Sequence, residues 1–239
     1  MTIPYYSGSI VAYLAFPNMT SSASRYSSII ASATSVNISS LLPADTDPTI
    51  LAGYSAQRSL LLSQLSSPHY AVEEVAWEGG DTVSVAMIRP FSRGNIEINS
   101  TDPSVPPVYD FGTFRYRTDL DIAVESLKKV REWMASGPMQ EVGAVETYPG
   151  ANVSSDAQIA ASIRTFATSS WQHPMSSCGM LPRHLGGVVD HELNVYGVKG
   201  LRTVDASIFP MAISGHISST VYAVAEKVRV SIVLTSVFD

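Results

Sequence analysis

Two histidines stand out by their surroundings. His173 lies in Trp171-Gln172-His173-Pro174-Met175-Ser176-Ser177-Cys178-Gly179-Met180, where Pro174 and Gly179 argue for a loop rather than a helix face. His216 lies in Ile213-Ser214-Gly215-His216-Ile217-Ser218-Ser219, where Gly215 permits a tight chain path just before a helical stretch. Imidazole has an unperturbed pKa of about 6.5, so its neutral form is available as a base near neutral pH. Two imidazoles beside one small molecule could take a hydroxyl proton and hold the same oxygen, given heavy-atom separations of roughly 2.6–3.2 Å. Oxidation of an alcohol needs such a base, together with an organic acceptor for the hydride, such as a flavin. A lone histidine is by default a surface or structural residue. A pair, each on a small-residue loop, shifts the balance toward chemistry. A helix beginning after His216 would also present free backbone N–H groups to an electron-rich ligand edge.

The remaining candidates are weaker. His69, His184 and His191 sit in polar or Pro/Gly-flanked stretches and read as surface residues. His184 and His191, with only Asp190 and Glu192 near, lack a metal-ligand spacing, so no metal is expected. Cys178 has no adjacent basic residue to activate it and reads as a small buried side chain. Asp190 suits a cap or loop anchor as well as a ligand contact. Glu73, Glu74 and Glu78 read as a solvated strand edge.

The elements that must position the histidines follow from periodicity. Helices are expected over 26–33 and 49–65, the second with Leu51, Tyr54, Leu61, Leu62 and Leu65 in a partial 3.6 period. Strands are expected over 72–77 and 82–88, joined by Glu78-Gly79-Gly80-Asp81, and over 96–98. The clearest helix is 119–135, with Leu120, Val124, Leu127, Val130 and Met134 at helical spacing and Gly137-Pro138 ending it. Ser154 or Ser155 should cap a helix reaching about Thr168, and a last helix should run over 219–234.

Composition narrows the function classes. The chain has 239 residues, 45% hydrophobic and 15% charged, with a net charge of −6. That is a globular composition. Without a Lys/Arg run, nucleic acid is not an expected partner. No uncharged apolar run reaches the roughly 18 residues of a membrane span; residues 221–237 are interrupted by Glu226, Lys227 and Arg229. A single cysteine excludes an intrachain disulfide. Four Asn-x-Ser/Thr sequons, at Asn18, Asn37, Asn99 and Asn152, point to secretion and glycosylation, although residues 1–6 do not resemble a signal peptide.

The ordered series of motifs from about residue 85 to 235 resembles the C-terminal half of the glucose–methanol–choline (GMC) flavoprotein oxidoreductases. It comprises Ile88-Arg89-Pro90-Phe91-Ser92-Arg93-Gly94, Asp102 to Asp110, and His173 with Ser176, Ser177 and Met180. It continues through Val188-Val189-Asp190, Val195 to Val198, Leu201 to Ser207, Pro210, His216, and Tyr222 to Lys227. A histidine at the second position is closest to the fungal glucose oxidase, glucose dehydrogenase and aryl-alcohol oxidase branches.

The resemblance implies FAD as cofactor, His173 and His216 as catalytic residues, and Asp205, Ala206, Ile217 and Ser218 as flavin contacts. It implies a small-molecule alcohol as substrate and oxygen or another electron acceptor as partner. It implies an α+β fold, with 1–170 as part of an antiparallel-sheet substrate domain backed by helices. Residues 171–239 would be active-site loops and the C-terminal segment of an FAD-binding α/β domain. The family's Gly-x-Gly-x-x-Gly unit, which binds the FAD pyrophosphate, does not occur in this chain. The N-terminal half is therefore expected to be missing, as in a fragment of a larger enzyme, a truncated gene product or one chain of a two-chain protein. Two other readings follow from the same scaffold: a lyase or cyclase in which the histidines move protons without net oxidation, and a non-catalytic remnant.

Overall fold

The computed structural model describes residues 10–20, 22–77, 82–141, 143 and 145–238. In chain order the elements are β1 (Ile10–Ala15), α1 (Ala23–Ser35), α2 (Pro48–Leu65), β2 (Ala71–Trp77), β3 (Val83–Met87), β4 (Asn95–Glu97) and β5 (Val108–Asp110). There follow α3 (Arg117–Met134), α4 (Gly137–Glu141), α5 (Asp156–Phe166) and α6 (Ser218–Phe238). The fold is α+β, with two small antiparallel sheets. The chain forms two compact units that interleave along the sequence. One comprises 1–36, 61–93 and 113–169; the other comprises 37–60, 94–112 and 170–239.

In the first unit the sheet has the order β1-β2-β3. β1 has no counterpart among the expected strands, and the expected hairpin turn at 78–81 lies outside the described residues. β2 is the central strand, and Val72, Glu73, Glu74 and Val75 are all buried. Consecutive strand residues point to opposite faces, so both faces are covered. This corrects the reading of Glu73 and Glu74 as a solvated edge; Glu78 lies outside the described residues. Burial pushes the Glu73 carboxyl up to about 8, a hydrogen bond with Ser126 opposes that, and the Asp119 charge adds to it. Glu73 Oε2 is buried without a hydrogen-bond partner.

α3 forms where the apolar spacing placed it, and Leu120 and Val124 pack with Ile159 and Ala160 of α5. Asp119 does more than complement the helix dipole. Its two carboxylate oxygens accept from the backbone N–H groups of Phe91 (2.8 Å) and Ser92 (2.7 Å). Glu125, fully buried, accepts from Arg25 of α1 (3.1 Å) and Lys128 (2.9 Å). Both cations also reach Asp156 at the start of α5, at 3.3 and 2.6 Å. α5 begins as the sequence indicates: Ser155 accepts from Gln158 N–H, and the Gln158 side chain accepts from Ser155 N–H in a capping box.

The second unit contains the two-stranded β4–β5 ribbon, the first part of α2, and α6. β5 was not among the expected strands. Gly94 leads into β4, where a Cβ would overlap the Asp110 carbonyl. Residues 170–217 contain no named strand, only isolated bridges and short 3-10 turns. Among the described residues no helix is long and apolar enough to cross a membrane.

Candidate active site

Main-chain hydrogen bonds hold the irregular segment together. Ser176 N–H donates to the Ala206 carbonyl (3.2 Å), Cys178 N–H to that of Ser207 (2.9 Å), and Met180 N–H to that of Ile208 (2.7 Å). This short ladder fixes the loop carrying His173 against the turn formed by Asp205 to Ile208. A second layer follows, with Val188 N–H donating to Gly179 and Tyr196 N–H to Val188, each at 3.0 Å. Gly187 permits that approach, because a Cβ there would overlap the Leu181 carbonyl. Beneath lies an apolar cluster of Val189, Leu193, Ile208, Phe209 and Ile217. Cys178 is only half-buried, which corrects the expectation of a buried thiol.

The backbone at His173 is unusual on both sides. Gln172 (φ 59°) and Ser176 (φ 74°) occupy the left-handed region, which for non-glycine residues costs about 1–3 kcal/mol each. The ladder to Ala206 and the bond from His173 N–H to Ser170 Oγ (3.0 Å) hold this conformation. His216 arrives differently. Gly215, at φ 151°, turns the chain, Ile217 anchors it in the apolar cluster, and Ser218 opens α6.

These two routes bring the imidazoles together. His173 Nε2 and His216 Nδ1 are 3.3 Å apart, and the rings meet edge to face at 76° with centroids 5.3 Å apart. One proton lies in this contact, on whichever nitrogen the tautomer assigns. His173 is half-buried and His216 exposed. His173 Nδ1 is buried with no hydrogen-bond partner, and so is Ser207 Oγ.

The other nominated residues have structural work as well. Asp205 caps its turn by accepting from Ser207 N–H (2.8 Å), and Ala206 lends its carbonyl to the His173 loop. Ser170 and Ser207 were not singled out from the sequence. A serine three positions before a loop histidine is the available signal for the first; the buried Ser207 hydroxyl has none, since burial there depends on the ladder. Asp190 is a loop anchor. It accepts from Glu192 N–H (2.8 Å), Asn194 N–H (3.0 Å) and Asn194 Nδ2 (3.3 Å). Against a desolvation cost, these bonds hold its carboxyl below the usual range. His69, His184 and His191 are exposed. Among the described residues no group of three or more His, Cys, Asp or Glu side chains converges as a metal-ligand set.

Residues 90–225 match the family profile described as GMC oxidoreductase. The chain belongs to the GMC oxidoreductase family. It is 36% identical over 216 residues to dehydrogenase xptC of Emericella nidulans, a match covering 90% of this chain and 35% of that protein. Its fold superposes on an FAD-dependent oxidoreductase from Chaetomium thermophilum with a TM-score of 0.86 at 35% identity, covering 91% of this chain and 37% of that one. It superposes on a fungal aryl-alcohol oxidase with a TM-score of 0.84 at 33% identity, covering 96% and 39%. This GMC chain thus spans about a quarter to a third of the length of the curated relatives it matches. Its residues fit the FAD on which such relatives depend. The paired imidazoles are open to such a group, His216 being exposed and His173 half-buried.

Proposed function

We propose that this chain supplies the proton-handling, flavin-facing part of an FAD-dependent GMC enzyme that oxidises an alcohol to a carbonyl compound. The 3.3 Å contact between His173 and His216 is the observation that carries this reading. Bound FAD would supply the acceptor for the hydride leaving the substrate carbon, with oxygen or another acceptor receiving the electrons afterwards. The protein's own work is to take the hydroxyl proton and hold the oxygen it leaves.

For His173 Nε2 to accept that proton it must carry a lone pair. The hydrogen in the pair then sits on His216 Nδ1, and the His173 proton sits on buried Nδ1. The substrate hydroxyl would displace the direct contact, so that Nε2 of His173 takes its proton while the His216 Nδ1–H, released from Nε2, donates to the oxygen. Asp205, Ala206, Ile217 and Ser218 would hold the cofactor, and the N–H groups opening α6 would be available to its electron-rich edge.

The test uses the full-length enzyme containing this chain, purified with FAD and mixed anaerobically with a panel of primary and secondary alcohols. Bleaching of the flavin absorbance by an alcohol, slowed in His173→Ala with FAD still bound, is the expected result. A flavin that binds but is bleached by no alcohol would transfer the histidines to non-redox proton chemistry. A wild-type rate in His173→Ala would remove His173 from the role of base.

A further inference from the structure

We infer that the protein is N-glycosylated at Asn18, Asn37, Asn99 and Asn152, and therefore passes through a secretory compartment. The chain has six asparagines, and four open an Asn-x-Ser/Thr sequon. Serine and threonine account for 50 of the 239 residues. Chance alone would make a sequon of about one asparagine in five, or roughly one in this chain. Four is a clear excess.

The structure separates the two groups of asparagine independently. All four sequon asparagines are exposed and lie outside the strands and α-helices. Asn18 points outward between buried Phe16 and Met19. Asn99 follows β4 beside Ile98, itself 90% exposed. Asn152 is exposed while its neighbour Val153 packs against the α3–α5 cluster.

The amide nitrogens differ as well. The two asparagines outside sequons donate through Nδ2, Asn95 to Glu97 and Asn194 to Asp190 and Glu192. Among the described residues, none of the four sequon asparagines has an Nδ2 hydrogen bond. Asn37 engages only Oδ1, accepting from Ser39 N–H (3.2 Å) and Ser39 Oγ–H (2.8 Å).

In the folded chain a sugar on Nδ2 would therefore displace no hydrogen bond at any of the four sites. There, C1 of a polyprenyl-diphosphate-linked oligosaccharide would be attacked: the N–C1 bond forms, the C1–O bond to the diphosphate breaks, polyprenyl diphosphate departs, and Nδ2 gives up one proton. Transfer precedes folding, so what the fold must do is keep each sugar in water, which exposure at all four positions allows.

The test takes the full-length protein from its native host and treats its peptides with peptide-N-glycosidase in ¹⁸O-water. Labelled aspartate at positions 18, 37, 99 and 152, with unlabelled Asn95 and Asn194 as internal controls, is the expected result. An unmodified peptide at any of the four overturns the assignment of that site, and unmodified peptides at all four overturn the inference. Single Asn→Gln variants expressed through a eukaryotic secretory route should each lose one step on an electrophoretic ladder of partial deglycosylation; an unchanged ladder counts against that site.

Discussion

In the first unit, Glu73, Asp119 and Glu125 are sealed beneath regular strands and helices, whereas in the second His173 and His216 stand on irregular loops, one half-buried and the other exposed. The ionisable groups of the first unit are largely consumed by the fold: Asp119 by two backbone amides, Glu125 by Arg25 and Lys128. The second unit spends main-chain hydrogen bonds and an apolar base on holding its loops, and leaves His173 Nδ1 and Ser207 Oγ unsatisfied. Burial with partners marks a side chain that stabilises. What sets the second unit apart is a pair of imidazoles in contact, one half-buried and one exposed, that the fold has not consumed. Orphaned atoms are not confined to the second unit: Glu73 Oε2 and Thr118 Oγ1 of the first also lack a partner, Glu73 beside the Asp119 carboxyl.

This contrast can be broken from either side. The largest expected effect is on catalysis: His173→Ala in the full-length enzyme should lower turnover by about 10²–10⁴-fold with little change in the unfolding midpoint, read by steady-state kinetics beside thermal melts. A large loss of stability with intact turnover would place His173 with the structural group. Asp119→Ala should instead cost about 3 kcal/mol in denaturant unfolding, since it strands two amide donors in a buried site.

Glu73→Gln should change a slope rather than a midpoint. The folded state holds its proton up to about 8, whereas the ordinary carboxyl releases it near 4.5. Stability from this group is therefore full below about 4.5 and is lost as pH rises through about 8. Melting temperature should fall over that window in the wild type and fall less in the Gln variant; parallel curves would show that Glu73 is ionised in the fold. The smallest effect is Ser155→Ala, where loss of the capping box should cost about 1 kcal/mol without altering the histidine site.

Much of the first unit was legible in the sequence because its signals are local. The α3 stripe of Leu120 and Val124, the Ser155–Gln158 cap and the extent of β2 all lie within short stretches of chain. β1 and β5 were missed because a strand at a sheet edge declares itself through its partner, Trp77 opposite Ile10 or Asn95 opposite Asp110, rather than through its own pattern. Glu73 and Glu74 were misread for a related reason: charge in a strand suggests solvent unless both faces of that strand are known to be covered.

The site divides in the same way. Residue types, loop signals and the motif series were enough to nominate His173 and His216 and to point to the family. That two rings 43 positions apart meet at 3.3 Å was settled only by the tertiary structure. The cause is physical: the contacts that bring them together run from Ser176, Cys178 and Met180 amides to Ala206, Ser207 and Ile208 carbonyls, and backbone hydrogen bonds leave almost no trace in side-chain identity.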